Sequence, residues 1–326
     1  MHQLITGVTQ ILIFSTDEWF SLLREECFPH ANAEGKETSE GVIHLVTKPY
    51  WKVLTSWNSL TNFYSLHYAP VTNQTSSSAH SLAKLAVADK VALVTVDYLL
   101  RESQFFENLM GDLQGHAYTV DVEDRYSNWI LPLGEETFDE YLASRSSRLK
   151  NTIKRAEKKL AKMGSLTFEV VNTNANGLSE IIEDYHDVYN KSWKAQEQSE
   201  RFISRLIELC AARGELCLGF LKLDGRTLAT QFWIVSDRTA FIYKLAYDPE
   251  YARLSVGSVL TKRLIEHVFD HVDLVDYGIG DEAYKKEWMT ERRQYVRVWA
   301  ANRTTMGGRL ISSIWRLRSF LKRMMN

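Results

Sequence analysis

The sequence predicts a mixed α/β protein built of two units. Three observations carry that prediction. Segments with apolar residues at helical spacing alternate with short β-type runs along the chain, so strands and helices must pack together. The pair Asp224-Gly225 separates two apolar runs, 215–223 and 227–235, which is the strongest short-range signal for a hairpin. Lastly, an apolar run (Val272, Leu274, Val275) enters a turn built on Gly278 and Gly280, and Asp281, Tyr284, Lys285, Lys286 and Trp288 follow at once. A strand ending in a glycine turn leaves backbone groups and side chains at the open edge of a sheet, where α/β proteins commonly place ligands. At 326 residues the chain is long enough for two domains.

Taken in order, residues 7–14 read as a short strand, and Thr16 or Asp17 caps a helix carrying Trp19, Phe20, Leu22 and Leu23. Residues 28–40 are polar and irregular. Strand-like pieces follow at 42–46, 51–55 and 65–69, then a helix over 76–88, a strand over 91–96, a helix over 98–110 and a strand over 117–122. These make a first α/β domain over 1–135, closed by an extended connector at 129–134. The second domain, 136–305, opens with a helix from Thr137 and a basic helix over 144–163 ended by Gly164. A strand at 166–171 and helices at 178–193 and 199–213 come next. The hairpin, a strand at 240–247, a helix at 258–269 entered through Gly257, and strands at 274–278 and 295–300 complete a mixed sheet with helices on both faces. In 306–326 Leu310, Ile314, Leu317, Leu321 and Met324 form one helical stripe flanked by Arg309, Arg316, Lys322 and Arg323. That helix is expected to dock on the protein's own body, with contact to an anionic membrane surface as the other reading.

Composition bounds the function. Apolar content of 45% and charged content of 25% belong to a soluble globular protein. The net charge of −2 gives no global argument for nucleic acid, but the charge is uneven. Between Arg145 and Lys162 eight basic residues face a single acid, Glu157. A solvated helix face is the usual reason for such a run, and Arg148, Arg155 and Lys159 fall close to one face that would also suit a phosphate-bearing partner. Three widely spaced cysteines (Cys27, Cys210, Cys217) without a metal-ligand pattern suit a reducing cytosol. With no basic n-region at the start and no apolar run of about 18 residues, the chain is expected to be cytoplasmic. None of the nine histidines pairs at metal-ligand spacing, so no metal is expected.

The residues that carry chemistry occur in a fixed order. After the Leu223-Asp224-Gly225 turn comes a strand ending Tyr247-Asp248, then Val256-Gly257-Ser258 at a helix entry, then the glycine turn and Tyr284-Lys285-Lys286-Glu287-Trp288. A glycine at a helix start lets an anion approach the free N–H groups. Tyr243, Tyr247 and Trp233 read as core or cleft wall, and Trp193 as packing on a helical stripe.

This order resembles the GNAT (Gcn5-related N-acetyltransferase) superfamily, in particular BioF2-like or CelD-like acetyltransferase domains related to the Fem aminoacyltransferases. The resemblance rests on the basic helix from Arg148 to Leu160, Trp193, the Leu223-Asp224-Gly225 turn, the Tyr247-Asp248 pair, Gly257-Ser258, and the run from Asp276 to Gly280 followed by Tyr284 to Trp288. One position departs: Val256 stands where the family usually has proline. The resemblance implies tandem GNAT-like domains in a Fem-like architecture, the second holding the acyl donor and the first shaping the acceptor side. It implies an acyltransferase that moves an acyl group from acetyl-CoA or another acyl-CoA to an amine of a sugar, polysaccharide precursor or small metabolite. Lys285 would stabilise negative charge and Tyr284 would donate a proton, with Asp281 and Asp248 as candidate bases. Gly257, Ser258, Tyr247 and Lys285 would contact the donor. Two alternatives stand beside it: a Fem-like aminoacyl-tRNA-dependent transferase, in which tRNA becomes a partner, and a non-catalytic module of the same fold in a surface-polysaccharide pathway.

Overall fold

A computed structural model describes residues 12–71, 80–172 and 177–325. Residues 7–11 of the expected first strand and 76–79 of the expected second helix lie outside the described residues. The chain begins with a short 3₁₀ turn, Ile13–Ser15, and α1 (Asp17–Cys27), capped by the Thr16 hydroxyl accepting the Trp19 N–H. Then come β1 (Asn32–Thr38), β2 (Gly41–Tyr50), β3 (Leu54–Ser59), α2 (Leu82–Ala88), β4 (Leu93–Leu100), α3 (Gln104–Gln114) and β5 (Tyr118–Pro132). Next are α4 (Phe138–Ser144), α5 (Ser147–Met163), β6 (Leu166–Val171), α6 (Leu178–Lys191), α7 (Glu200–Arg213), β7 (Leu216–Leu223), β8 (Arg226–Ser236) and β9 (Thr239–Tyr247). The chain ends with α8 (Val256–Val268), β10 (Leu274–Ile279), β11 (Glu291–Asn302) and α9 (Met306–Met325).

The described residues divide into two compact units, one within 13–127 and 293–325, the other within 128–292. These boundaries differ from the expected 1–135, 136–305 and 306–326. The end of β11 and α9 return to the first unit because apolar Val296, Val298 and Ala300 complete the layer beside β4, a pairing between residues some 200 apart that no local pattern announces.

Each unit repeats one plan. In the first, β1, β2 and β3 are antiparallel, α2 crosses over, and β4 lies parallel to β3. In the second, β6, β7, β8 and β9 are antiparallel, α8 crosses over, and β10 lies parallel to β9. The Asp224-Gly225 hairpin forms as expected, with both residues at positive φ (49° and 83°). α5 lays Leu149, Ile153, Ala156 and Leu160 into the core of the second unit. Its Arg148, Arg155 and Lys159 are exposed, so the basic stretch is the solvent face of an amphipathic helix. The extended φ of Gly164 ends α5, and a Cβ there would lie 2.0 Å from the Asp224 carboxylate, which accepts the Ser165 N–H.

Several local expectations give way to tertiary pairing. The polar stretch 32–38 becomes edge strand β1, the connector 129–134 is largely the end of β5 paired with β10, and 65–69 forms no strand. The helix expected over 98–110 starts instead at Gln104, since β4 runs on to Leu100 and the Ser103 hydroxyl supplies the cap.

α9 reaches its unit through glycine. A Cβ on Gly307 would fall 2.6 Å from Leu54 and one on Gly308 would fall 1.9 Å from the Asn302 carbonyl oxygen. Because that oxygen is backbone, Gly308→Ala is expected to destabilise the protein by about 3 kcal/mol, read as a lowered urea midpoint.

Candidate functional site

The parallel pairs β3–β4 and β9–β10 each extend over three residues. In the second unit they are Leu274↔Thr239, Val275↔Ala240 and Asp276↔Phe241. Past Phe241, β9 keeps its pairing with β8 as far as Tyr247, while β10 leaves it, so the two strands splay. The cause is local. The buried Asp276 carboxylate turns back to accept the Gly278 N–H at 2.8 Å and both contacts from the Asn128 amide at 3.0 and 3.2 Å, and Gly278 and Gly280 take φ values of +67° and +121°. Asp276 thereby takes a backbone donor away from the ladder.

The first unit splays after Ser56↔Leu93, Trp57↔Val94 and Asn58↔Thr95, but there the chain closes its own opening. Tyr64, Leu66 and Tyr68 are buried, the Tyr68 N–H reaches the Tyr98 carbonyl, and its hydroxyl reaches the His44 carbonyl at 2.6 Å. In the second unit the corresponding place carries Lys244 and Lys285.

Lys285 lies in a short 3₁₀ turn, 3% exposed. Its ammonium donates to the Ile279 carbonyl at 2.6 Å and the Gly278 carbonyl at 3.3 Å, pairs with Glu282 at 3.0 Å, and faces the Tyr277 ring at 5.6 Å. An ammonium has three donors, and these three oxygens match them. Two are backbone and fixed. The third belongs to a carboxylate that is 55% exposed and can be exchanged. Tyr284 stands next to it, edge-on to Tyr277 at 5.6 Å, its hydroxyl pushed up to about 12 by burial and by the charge of Glu282.

The segment after α6 supplies groups that sequence reading passed over. α6 stops at Lys191, so Trp193 is not on its apolar stripe; it is 53% exposed and packs, tilted, against Tyr247 with ring centroids 4.1 Å apart. Burial, then the charge of Lys244 and, more weakly, that of Lys285, hold Lys194 down at about 8, against the pull of Glu197 and Glu282. Lys244, on β9, forms a buried pair with Glu197 at 2.7 Å. Lys194, Lys244 and Lys285 thus gather from a loop, a strand and a turn around two carboxylates. Lysines at 194 and 244 carry no motif, and the only trace of the cluster in the sequence is their adjacency to Trp193 and Tyr243.

Tyr247 also borders the start of α8, where a Cβ on Gly257 would meet the Tyr247 ring at 3.2 Å. Ser255, at φ +52°, begins that helix and accepts the N–H groups of Ser258 and Val259. Gln231 steadies the turn, donating to the Gly257 carbonyl at 3.2 Å and the Thr261 hydroxyl at 2.8 Å. Gly257, Ser258 and Tyr247 are therefore neighbours, as are Tyr284 and Lys285. Asp248 and Asp281 hold structural partners. Asp248 caps the 3₁₀ turn Pro249–Leu254 and pairs with Arg226 at 2.7 Å, whereas Asp281 accepts the Trp129 indole N–H at 2.6 Å and pairs with Arg292 at 3.1 Å. Beside the turn, a cavity of about 400 Å³ is lined by Ser144, Arg145, Ser146, Arg148, Lys286 and Glu287. Among the described residues no helix is long and apolar enough to cross a membrane.

Residues 147–286 match the acetyltransferase (GNAT) domain family. Among solved structures the chain is similar to FemX, at 12% identity and a TM-score of 0.59, with 88% of this chain and 92% of that one covered. It is also similar to the C-terminal domain of a putative lysylphosphatidylglycerol synthetase from Agrobacterium fabrum, at 12% identity, a TM-score of 0.53 and 86% coverage of each chain. A third likeness is to L-PGS from Bacillus licheniformis, at 11% identity and a TM-score of 0.52, covering 94% of this chain and 98% of that one. No curated protein matches. At such identities the structural likenesses establish the fold, a tandem arrangement of GNAT-like units.

Proposed function

From the match of residues 147–286 to the acetyltransferase (GNAT) domain family, we propose that the splay between β9 and β10 binds a thioester and transfers its acyl group from an acyl-CoA to an amine. The acceptor would be an amine of a sugar, polysaccharide precursor or small metabolite. The observation that carries this reading is the opening itself, flanked by the α8 N-terminus on one strand and the Lys285 turn on the other. Anionic groups of the donor would meet the N–H groups at Gly257, favoured by the dipole of a 13-residue helix. Trp193 and Tyr247 would give it an aromatic wall.

In this reading the amine adds to the thioester carbonyl, a C–N bond forms, the C–S bond breaks, and one proton passes from nitrogen to the departing sulfur. Lys194, held near 8, is neutral often enough at physiological pH to take the proton from the amine. Lys285 stabilises the tetrahedral oxyanion once that oxygen replaces Glu282 as its third partner. Tyr284, still protonated with its hydroxyl near 12, donates to the thiolate. Asp248 and Asp281, bound to Arg226 and Arg292, serve as supports in this scheme.

Binding is tested by melting the protein against a panel of acyl-CoA species. A bound donor at a hundredfold excess over Kd is expected to add about 2.7 kcal/mol of stability. A second reading, aminoacyl transfer, draws on the fold shared with FemX and the lysylphosphatidylglycerol synthetase domain and on the exposed Arg148, Arg155 and Lys159 of α5. Retention of charged tRNA with a steep salt dependence, and no melting shift with any acyl-CoA, would replace the first reading by the second.

Lys194 gives a signed pH prediction. Its folded value lies below its unfolded 10.5, so between about 8 and 10.5 the unfolded chain binds more protons and stability rises with pH. Below 8 the full penalty is present. Lys194→Met is therefore expected to raise stability at pH 7 by on the order of 2 kcal/mol after discounting for the partial exposure of the side chain, read as a higher melting temperature. The same variant should lose about a hundredfold in kcat and the rise of activity through pH 8. A variant less stable and equally active would remove Lys194 from the scheme.

A further inference from the structure

α9 docks by a face different from the one its apolar pattern suggests. Gly308, Ile311 and Ser312 are buried against the unit, and Trp315 is half-buried there beside Leu54 and Trp299. Leu310, Leu317 and Leu321, from the stripe with the regular spacing, are each about half exposed, and Met306 one turn earlier is 89% exposed. A 20-residue helix thus has two apolar faces, one satisfied within its unit and one open. Soluble surfaces scatter exposed apolar residues singly, whereas these recur at steps of four, seven and four along one line.

The charge beside that line has one sign. Arg309, Arg316 and Arg318 are exposed, the sequence adds Lys322 and Arg323, and no acid occurs between Gly307 and the terminus. An apolar strip bordered by cations fits a surface with an apolar interior and anionic headgroups, and the long arginine stems let the charge stay in water while the leucines enter. A second copy of the helix would set arginines against arginines. We propose that the open face of α9 lies on an anionic lipid surface, with Met306, Leu310, Leu317 and Leu321 entering the headgroup boundary and the arginines holding lipid phosphates.

The test floats the full chain with phosphatidylcholine vesicles, with and without phosphatidylglycerol, beside two variants. One carries Leu310→Ser, Leu317→Ser and Leu321→Ser; the other carries Arg316→Gln and Arg318→Gln. The parent is expected to float with the phosphatidylglycerol vesicles and to stay behind with phosphatidylcholine alone. The leucine variant should no longer float, and each lost arginine should weaken binding about fivefold, with melting temperatures unchanged because all five side chains are exposed. The arginine variant keeps the test decisive should the leucine variant melt early. Flotation that ignores lipid charge, flotation untouched by the substitutions, or no flotation would overturn the proposal. So would a concentration-dependent dimer, without vesicles, that the leucine variant abolishes, since it would assign the face to a second copy.

Discussion

Lys285→Ala is expected to lose activity and stability together. The side chain is buried, and its removal strands the Gly278 and Ile279 carbonyls that its ammonium now satisfies. Each unsatisfied buried acceptor costs about 1–3 kcal/mol, so a loss of roughly 3 kcal/mol in the urea midpoint analysis is expected. Measured well below the melting temperature, kcat should fall by about 10²–10³, the usual cost of an oxyanion donor. The two effects separate in Glu282→Gln. That change leaves both carbonyl bonds intact and replaces only the exposed third partner, so stability should hold while KM or kcat moves. A Lys285→Ala protein with normal kcat would confine this lysine to holding the end of β10.

Asp276→Ala should have the second large effect. Its carboxylate is buried, accepts the Gly278 N–H and binds the amide of fully buried Asn128. Deleting it leaves two donors without partners, and a loss of about 2–5 kcal/mol is expected. The functional consequence should exceed what stability alone explains. With the Gly278 N–H released, the end of β10 can return to the β9 ladder and narrow the splay, which predicts a weaker response of the melting temperature to acyl-CoA in the variant. Asp276→Asn, which keeps an oxygen acceptor toward Gly278, should recover part of that response. An Asp276→Ala protein that folds and responds to acyl-CoA like the parent would dissociate the carboxylate from the opening.

What could be read locally was read correctly where the deciding interaction is local. The Asp224-Gly225 hairpin, the α1 cap at Thr16, the apolar face of α5 and the glycine turn after β10 all depend on residues within a few positions of one another. Where the partner is distant, sequence reading faltered. The stretch 32–38 is polar because an edge strand faces water, which hides its pairing with β2. The end of β5 looked like a connector because Pro132 and Gly134 punctuate it, yet Ile130 and Leu131 pair with Asp276 and Val275. Trp193 looked like one more apolar residue at helical spacing; the helix ends two residues earlier, and the ring is delivered to Tyr247.

The amino-acid order by itself determined the class of the fold, the run of elements from the basic helix to the lysine turn, and the presence of Gly257, Tyr284 and Lys285 at strand and helix ends. These follow from periodicity, capping and turn chemistry, which act over one or two turns of chain. Tertiary structure alone decided that one splay is plugged by Tyr64, Leu66 and Tyr68 while the other carries lysines, that burial and then the charges of Lys244 and Lys285 lower the pKa of Lys194, and that α9 buries Ile311 and leaves Leu310, Leu317 and Leu321 open. The reason is the same in each case. A pKa, a plugged gap and a buried face are set by what lies across the fold, and charge repulsion and burial depend on distance through space rather than along the chain.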